Sequence, residues 1–187
     1  MPRFAARAAA AAVAFVFVTS PLVAIDDSVL KVKEGDRFPD VQLAAAQIDK
    51  VKPNAKTVSI SDLKGKTVVI FFYPAAGTKS CTTELCGFRE LLNEFPKDVV
   101  LLGASSDIVS KQQEFIDAYK LPMTLLSDTD LKLTRELGIL GKAGGRTSKR
   151  ATFVVNKEGK IAKIYEPGKI DVNKHPKEVL EFVKALK

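Results

Sequence analysis

The sequence predicts an α/β domain, a central mixed sheet with helices on both faces. Three observations carry that prediction. Thr67-Val68-Val69-Ile70-Phe71-Phe72-Tyr73 is an unbroken β-branched and aromatic run, the pattern of a strand covered on both sides. After it, Cys81, Leu85, Phe88, Leu92 and Phe95 recur at helical spacing and make one apolar stripe. Strand-like and helix-like segments then alternate to the C-terminus, an order that lays helices over a sheet.

Taken in order, Lys33 to Asp40 reads as an extended lead-in loop, and residues 44–56 are polar and Ala-rich with a turn at Pro53-Asn54. Thr57 to Ile60 is a short strand and Ser61 to Lys66 a turn. Thr67 to Tyr73 is the central strand. Pro74 stops it, and Ala75-Ala76-Gly77 makes a tight loop. The first helix runs from about Thr78 to Phe95, capped by Thr78 or Ser80 and ended by Pro96. Val99 to Ala104 is a second buried strand. Val109 to Tyr119 is a helix, with Phe115 and Tyr119 four residues apart. Met123 to Leu126 is a short strand, Leu131 to Leu137 a short helix and Gly138 to Gly145 a glycine-rich loop. Ala151 to Val155 and Ile161 to Tyr165 form a hairpin around Asn156-Lys157-Glu158-Gly159. Lys177 to Leu186 closes the chain as an amphipathic helix.

The chain has 187 residues, enough for one good core. Its 46% hydrophobic and 27% charged residues are those of an ordinary globular protein, which excludes disorder as the default. Residues 1–25 hold no acidic side chain. Arg3 and Arg7 precede an apolar stretch from Ala8 to Val18, a break at Thr19-Ser20-Pro21, and a small residue, Ala24, before Asp26. These are the parts of an export signal, and the apolar run is short for a membrane span of about 20 residues. We therefore expect a leader over 1–24 and a single domain over 25–187, exported to a periplasm or secreted, with no stable membrane contact after cleavage. A membrane anchor or an organelle transit peptide, and so an organelle lumen, is the rival expectation. Without the leader, 27 Lys and Arg face 22 Asp and Glu, a net charge of +5 instead of +7. The basic residues are scattered, which argues against a nucleic-acid arm.

The chemistry lies between Pro74 and Cys86, where a central strand hands over to a helix, the place where α/β sheets gather their sites. Cys81 falls in the first helical turn. Unpaired N–H groups and the positive end of the helix dipole favour its thiolate, the nucleophilic form. Thr78 is placed to hydrogen-bond the sulfur or a bound oxygen. Arg89, two turns on, and Arg150, at the start of a strand that can pair beside the first, are the nearby cations. Cys86 follows five residues later. In an ideal helix five residues rise about 7.5 Å and leave the two Cα atoms roughly 8.6 Å apart, beyond the ~7 Å reach of a disulfide. The two thiols can bond only if the helix unwinds locally, which suits a catalytic pair better than a permanent staple. In an oxidising compartment the staple remains the competing reading.

Pro74, Thr78 and Cys81 form P-x-x-x-T-x-x-C, and this signature resembles that of the peroxiredoxins. Cys86 with Gly87-Phe88-Arg89 is similar to the bacterioferritin-comigratory or Q-type branch. Val58 to Lys66 resembles the family's lead-in to the central strand, and Arg150 to Asn156 the segment carrying its active-site arginine. The resemblance implies a thioredoxin-like fold and a thiol peroxidase without metal or organic cofactor. It implies that Cys81 is the peroxidatic cysteine and Cys86 the resolving one. Thr78 would then bond the peroxide, Arg150 stabilise thiolate and transition state, and Pro74 shield the pocket. It further implies a hydroperoxide substrate, a thioredoxin or similar dithiol reductant, and a monomer. Glu84 also occupies a position that is commonly acidic in this branch. The loop Ala75-Ala76-Gly77 departs from the charged loop common there.

Two other functions compete. A disulfide oxidoreductase on the same fold would want C-x-x-C, which is absent. A copper-handling module would want a nearby His or a Met cluster, but the only His is His175 and the two Met are Met1 and Met123. His175, beside Pro176, is expected on the surface. Phe72 and Tyr73 point opposite ways on their strand, so one of them can line the pocket.

Overall fold

The computed structural model describes residues 26–142 and 145–186. The leader expected over residues 1–24, and part of the glycine-rich loop, lie outside the described residues. The strands are β1 (Ala44–Ala46), β2 (Thr67–Phe72), β3 (Val99–Ser105), β4 (Thr124–Ser127), β5 (Ala151–Val155) and β6 (Ile161–Tyr165). The helices are α1 (Lys79–Leu91), α2 (Val109–Tyr119), α3 (Lys132–Leu137) and α4 (His175–Ala185).

One mixed sheet runs in the order β1-β4-β3-β2-β5-β6. β2 pairs parallel to β3, and β3 parallel to β4. β5 pairs antiparallel to β2 and β6 antiparallel to β5. The apolar run that predicts β2 has all six residues buried, as a strand sandwiched between layers requires. Its side chains alternate with period two. Val68, Ile70 and Phe72 join one core with Phe38, Leu63, Leu133 and Leu137. Val69, Phe71 and Tyr73 join the other with Cys81, Phe88, Phe115 and Val179. α1, α2 and α4 thus cover one face, and α3 with the N-terminal loop covers the opposite one. Leu85 and Phe88 are fully buried, and Phe88 stacks on Phe71 with ring centroids 4.5 Å apart. Each such side chain contributes about 1.5–3 kcal/mol, which presses α1 onto the end of β2.

Four elements differ from expectation. Thr57 to Ile60 forms no strand. Only Val58 bridges Leu43, while side chains meet the neighbouring polar groups, Thr57 Oγ1 donating to Gln42 and the Ser59 N–H to Asp62. β1 was hidden because three alanines carry no β-branched signal; its pairing with β4, Ala45 opposite Leu126, defines it. α1 stops at Leu91 and passes into a single tight turn, Leu92–Glu94. α4 begins at His175 instead of Lys177, since Pro176 fits a first helical turn, where its missing N–H is no loss.

Candidate active site

The site forms where β2 ends. Gly77, at φ +79°, takes the left-handed conformation that turns the chain into α1. Asp107, just past the end of β3, pins this loop: its Oδ2 accepts the Ala76 N–H at 2.7 Å and the Ser105 hydroxyl at 3.0 Å. Ser148 Oγ donates to the Tyr73 carbonyl on the other side. Pro74, between these two ties, is partly buried. Cys81 is then the third residue of α1, among the N–H groups that have no partner within the helix. Its side chain is 1% exposed.

Arg150 is brought to that sulfur by register. β5 runs antiparallel to β2 with Ala151 opposite Phe72, so the residue preceding β5 stands beside the end of β2. Arg150 Nη2 donates to Cys81 Sγ at 3.2 Å and to Ser80 Oγ at 3.2 Å, and Nη1 is paired with Glu84 Oε2. A guanidinium fork suits this division, one nitrogen for the carboxylate and the other shared by the sulfur and the hydroxyl. Burial works against the Arg150 charge, but Glu84 and Cys81 outweigh it and hold the guanidinium above its ordinary range. Glu84 has no exposed surface. Burial pushes its carboxyl up to about 7, against the opposing pull of Arg150.

Thr78 immediately precedes α1, and its carbonyl accepts the Thr82 N–H at 2.9 Å. Its hydroxyl is turned to the Ala75 carbonyl at 3.2 Å, not to the sulfur. Arg89 does not serve the site; it reaches the Tyr119 carbonyl at 2.6 Å. Cys86 is partly buried on α1, and both cysteines are free thiols. With both in one unbroken helix, they stand at the separation that forbids a bond. Tyr73, the partner face of Phe72, is the one that packs in the same cluster as Cys81.

His175 is a correction. It is fully buried, with Nε2 2.7 Å from Thr152 Oγ1 and 3.9 Å from Glu84 Oε1. Burial, and after it the Arg150 charge, push its imidazole down to about 4, so it is neutral at ordinary pH. Reading α4 from Lys177 left it outside the helix. Counted in, His175, Val179 and Val183 form one buried stripe at i, i+4 and i+8. Glu84 carried a similar signal, an acid three residues after Cys81 and next to Leu85 on the stripe of α1. Asp107 carried none, because its role depends on the pairing of β2 with β3. Among the described residues, no three His, Cys, Asp or Glu side chains gather where a metal could sit.

Residues 35–164, which contain Pro74, Thr78, Cys81, Glu84, Cys86 and Arg150, match the AhpC/TSA family. The chain belongs to that family. Within it the peroxiredoxins of the Q and bcp kind are its relatives, as the signature implied. It is 38% identical to a chloroplastic peroxiredoxin Q of Gentiana triflora over 71% of this chain, and spans 61% of that protein's length. It is 40% identical to a putative peroxiredoxin bcp of Coxiella burnetii, over 61% of this chain and 80% of that one. Among solved structures, peroxidoxin BcpB of Mycobacterium tuberculosis superposes with a TM-score of 0.72 at 30% identity, covering 83% of this chain and 98% of that one. The sheet and its helices are thus a thioredoxin-like peroxiredoxin fold. His175 and α4 lie beyond the family span.

Proposed function

We propose that the protein is a thiol peroxidase that reduces hydrogen peroxide and organic hydroperoxides through Cys81. The observation that carries this reading is the Arg150 guanidinium at 3.2 Å from the Cys81 sulfur at the start of α1, with a second free thiol five residues on in the same helix. The Cys81 thiolate attacks the terminal oxygen of the hydroperoxide. The O–O bond breaks, the leaving oxygen takes a proton and departs as water or alcohol, and the sulfur becomes a sulfenic acid. Arg150 and the N–H groups at the start of α1 stabilise the charge on the two oxygens, a fixed electrostatic contribution of a few kcal/mol per donor, on the order of 3. Thr78 turns its hydroxyl from Ala75 to the bound peroxide, and Pro74 shields the pocket.

α1 then unwinds between Cys81 and Cys86. The Cys86 thiol condenses with the sulfenic acid, water leaves and a disulfide forms. A thioredoxin-like dithiol returns two electrons by thiol–disulfide exchange. The protein works as a monomer, exported by the segment at 1–24. Two variants test the scheme on the full chain. Cys81→Ser abolishes peroxide consumption. Cys86→Ser performs one turnover and leaves a sulfenic acid at Cys81 that a dimedone-type probe captures. Steady turnover by Cys81→Ser overturns the reading.

A further inference from the structure

Beneath the stretch from Cys81 to Cys86 lies a buried polar arrangement that the peroxidase scheme does not use. Glu84 sits between the two cysteines, and its two oxygens face different elements. Oε2 accepts from Arg150. Oε1 has no hydrogen-bond partner and lies 3.9 Å from His175 Nε2. His175 is the first residue of α4, and Thr152 Oγ1 on β5 anchors its ring at 2.7 Å. Phe88 and Tyr165 meet that ring edge-on, at centroid distances of 5.9 and 4.8 Å.

The next residue of α4 completes the seat. Gly87 packs so tightly on Pro176 that a Cβ there would stand 2.8 Å from the Pro176 Cγ. The start of α4 therefore rests on Glu84, Gly87 and Phe88, on and just beyond the segment that must unwind for Cys86 to reach Cys81. Unwinding has to pull Glu84 from Arg150 and open the compartment that holds His175.

We propose that His175 is a positioning residue for the reaction: seated at the start of α4, it backs Glu84, which holds Arg150 on the Cys81 sulfur and keeps the Cys81–Cys86 segment helical until the sulfur is oxidised. This rests on the peroxidase reading and deepens it by assigning the latch on its unwinding step. The groups facing Glu84 are Arg150 from the segment before β5, His175 from α4 and Cys81 from its own helix. Tyr165 of β6 is the other titratable group against His175. Arg150 is the only fixed charge in the cluster, so its place depends on where Glu84 is held. Without the imidazole, Oε1 loses the polar nitrogen that stands 3.9 Å from it, and the segment detaches more readily.

The chain has no Trp to report these steps. The test is therefore rapid quenching of the reduced full chain with hydrogen peroxide, thiol alkylation, and mass spectrometry of the Cys81 sulfenic acid and the disulfide. His175→Phe, which keeps a ring but no polar atom, forms the disulfide about tenfold faster and oxidises Cys81 severalfold more slowly, the scale of one lost buried polar contact. His175→Gln, neutral and able to bond Thr152, restores the wild-type ratio of the two phases. Val183→Ala, two turns along α4, lowers stability but leaves that ratio alone. Should His175→Phe not fold, Thr152→Val, which frees the ring from its anchor, carries the same expectation. A ratio within about twofold of wild type, no recovery in His175→Gln, or an equal shift in Val183→Ala overturns the proposal. Absence of any oxidation of Cys81 in the wild-type chain instead overturns the peroxidase reading, and this proposal with it.

Discussion

Arg150 Nη2 stands 3.2 Å from Cys81 Sγ while Nη1 is committed to Glu84. One rigid fork thus spans the Cys81 sulfur and a buried acid. Lysine cannot occupy both positions, since its ammonium is a single point charge on a flexible stem. Arg150→Lys is expected to slow oxidation of Cys81 by peroxide by about 10²–10³-fold, the usual effect of losing a charge-stabilising donor. Arg150→Met also strips Glu84 of its partner. The cost is about 3 kcal/mol, near the low end for a broken buried pair, because a carboxyl already at about 7 escapes by taking up a proton. The double variant Arg150→Met/Glu84→Gln recovers part of that stability and none of the rate. Denaturant unfolding and the oxidation rate together check both statements.

Asp107 touches no reacting atom, yet it holds the Ala76 N–H at 2.7 Å and so fixes the loop that leads into α1. Asp107→Ala frees that N–H and the Ser105 hydroxyl. We expect a stability loss of about 1–2 kcal/mol and Cys81 oxidation about tenfold slower, because the loop between Pro74 and Gly77 loses its tie. Asp107→Asn, which can still accept the N–H through its amide oxygen, keeps most of the rate. Equal rates in the alanine variant and the wild type contradict this.

The parts of the fold legible in the sequence are those with a strong local signal. β2 shows in seven consecutive β-branched and aromatic residues, α1 in a stripe at helical spacing, and the β5–β6 hairpin in two runs around Asn156 to Gly159. The signature from Pro74 to Cys81 singled out a thiol at the start of α1, and antiparallel pairing of Ala151 with Phe72 places Arg150 beside its sulfur. The buried acid and imidazole were less visible, for a physical reason. Glu84 and His175 are polar residues among apolar ones, and their burial is made tolerable by Arg150 and by Thr152 on β5. Such contacts join residues 66 and 23 positions apart in sequence, and the sequence does not show which side chains will meet. β1 carries no local signal either, since three alanines become a strand only by pairing with β4.

Gly87 stands where helix propensity and packing disagree. Alanine is preferred to glycine in a helix interior by about 1 kcal/mol. At this position the added methyl would meet the Pro176 ring at 2.8 Å, and the ring has little freedom to move. Overpacking of this kind costs about 1–3 kcal/mol, so Gly87→Ala is expected to destabilise the protein on balance. Thermal unfolding of Gly87→Ala beside Gly87→Ala/Pro176→Ala separates the terms, since the second variant removes the obstacle and lets the helix gain appear.

Glu84 and His175 impose opposite pH dependences on stability. His175 falls from 6.5 to about 4 on folding, so the unfolded chain binds its proton first as the solution is acidified. Its contribution is complete above pH 6.5 and is lost as pH falls towards 4. Glu84 rises from 4.5 to about 7, so here the folded chain binds the proton first. Its contribution is complete below pH 4.5 and is lost as pH rises towards 7. Between pH 4.5 and 6.5 the slopes oppose each other: the folded pair carries one proton on Glu84, the unfolded pair one proton on His175. The wild-type chain therefore hides both. Glu84→Gln leaves the His175 slope alone, and its stability relative to wild type climbs by about 3 kcal/mol from pH 4.5 to 6.5. His175→Phe leaves the Glu84 slope, and its relative stability falls by a similar amount across the same window. Unfolding free energies of the three reduced proteins at half-unit pH steps decide the matter, and parallel curves would mean that neither group titrates differently in the folded chain.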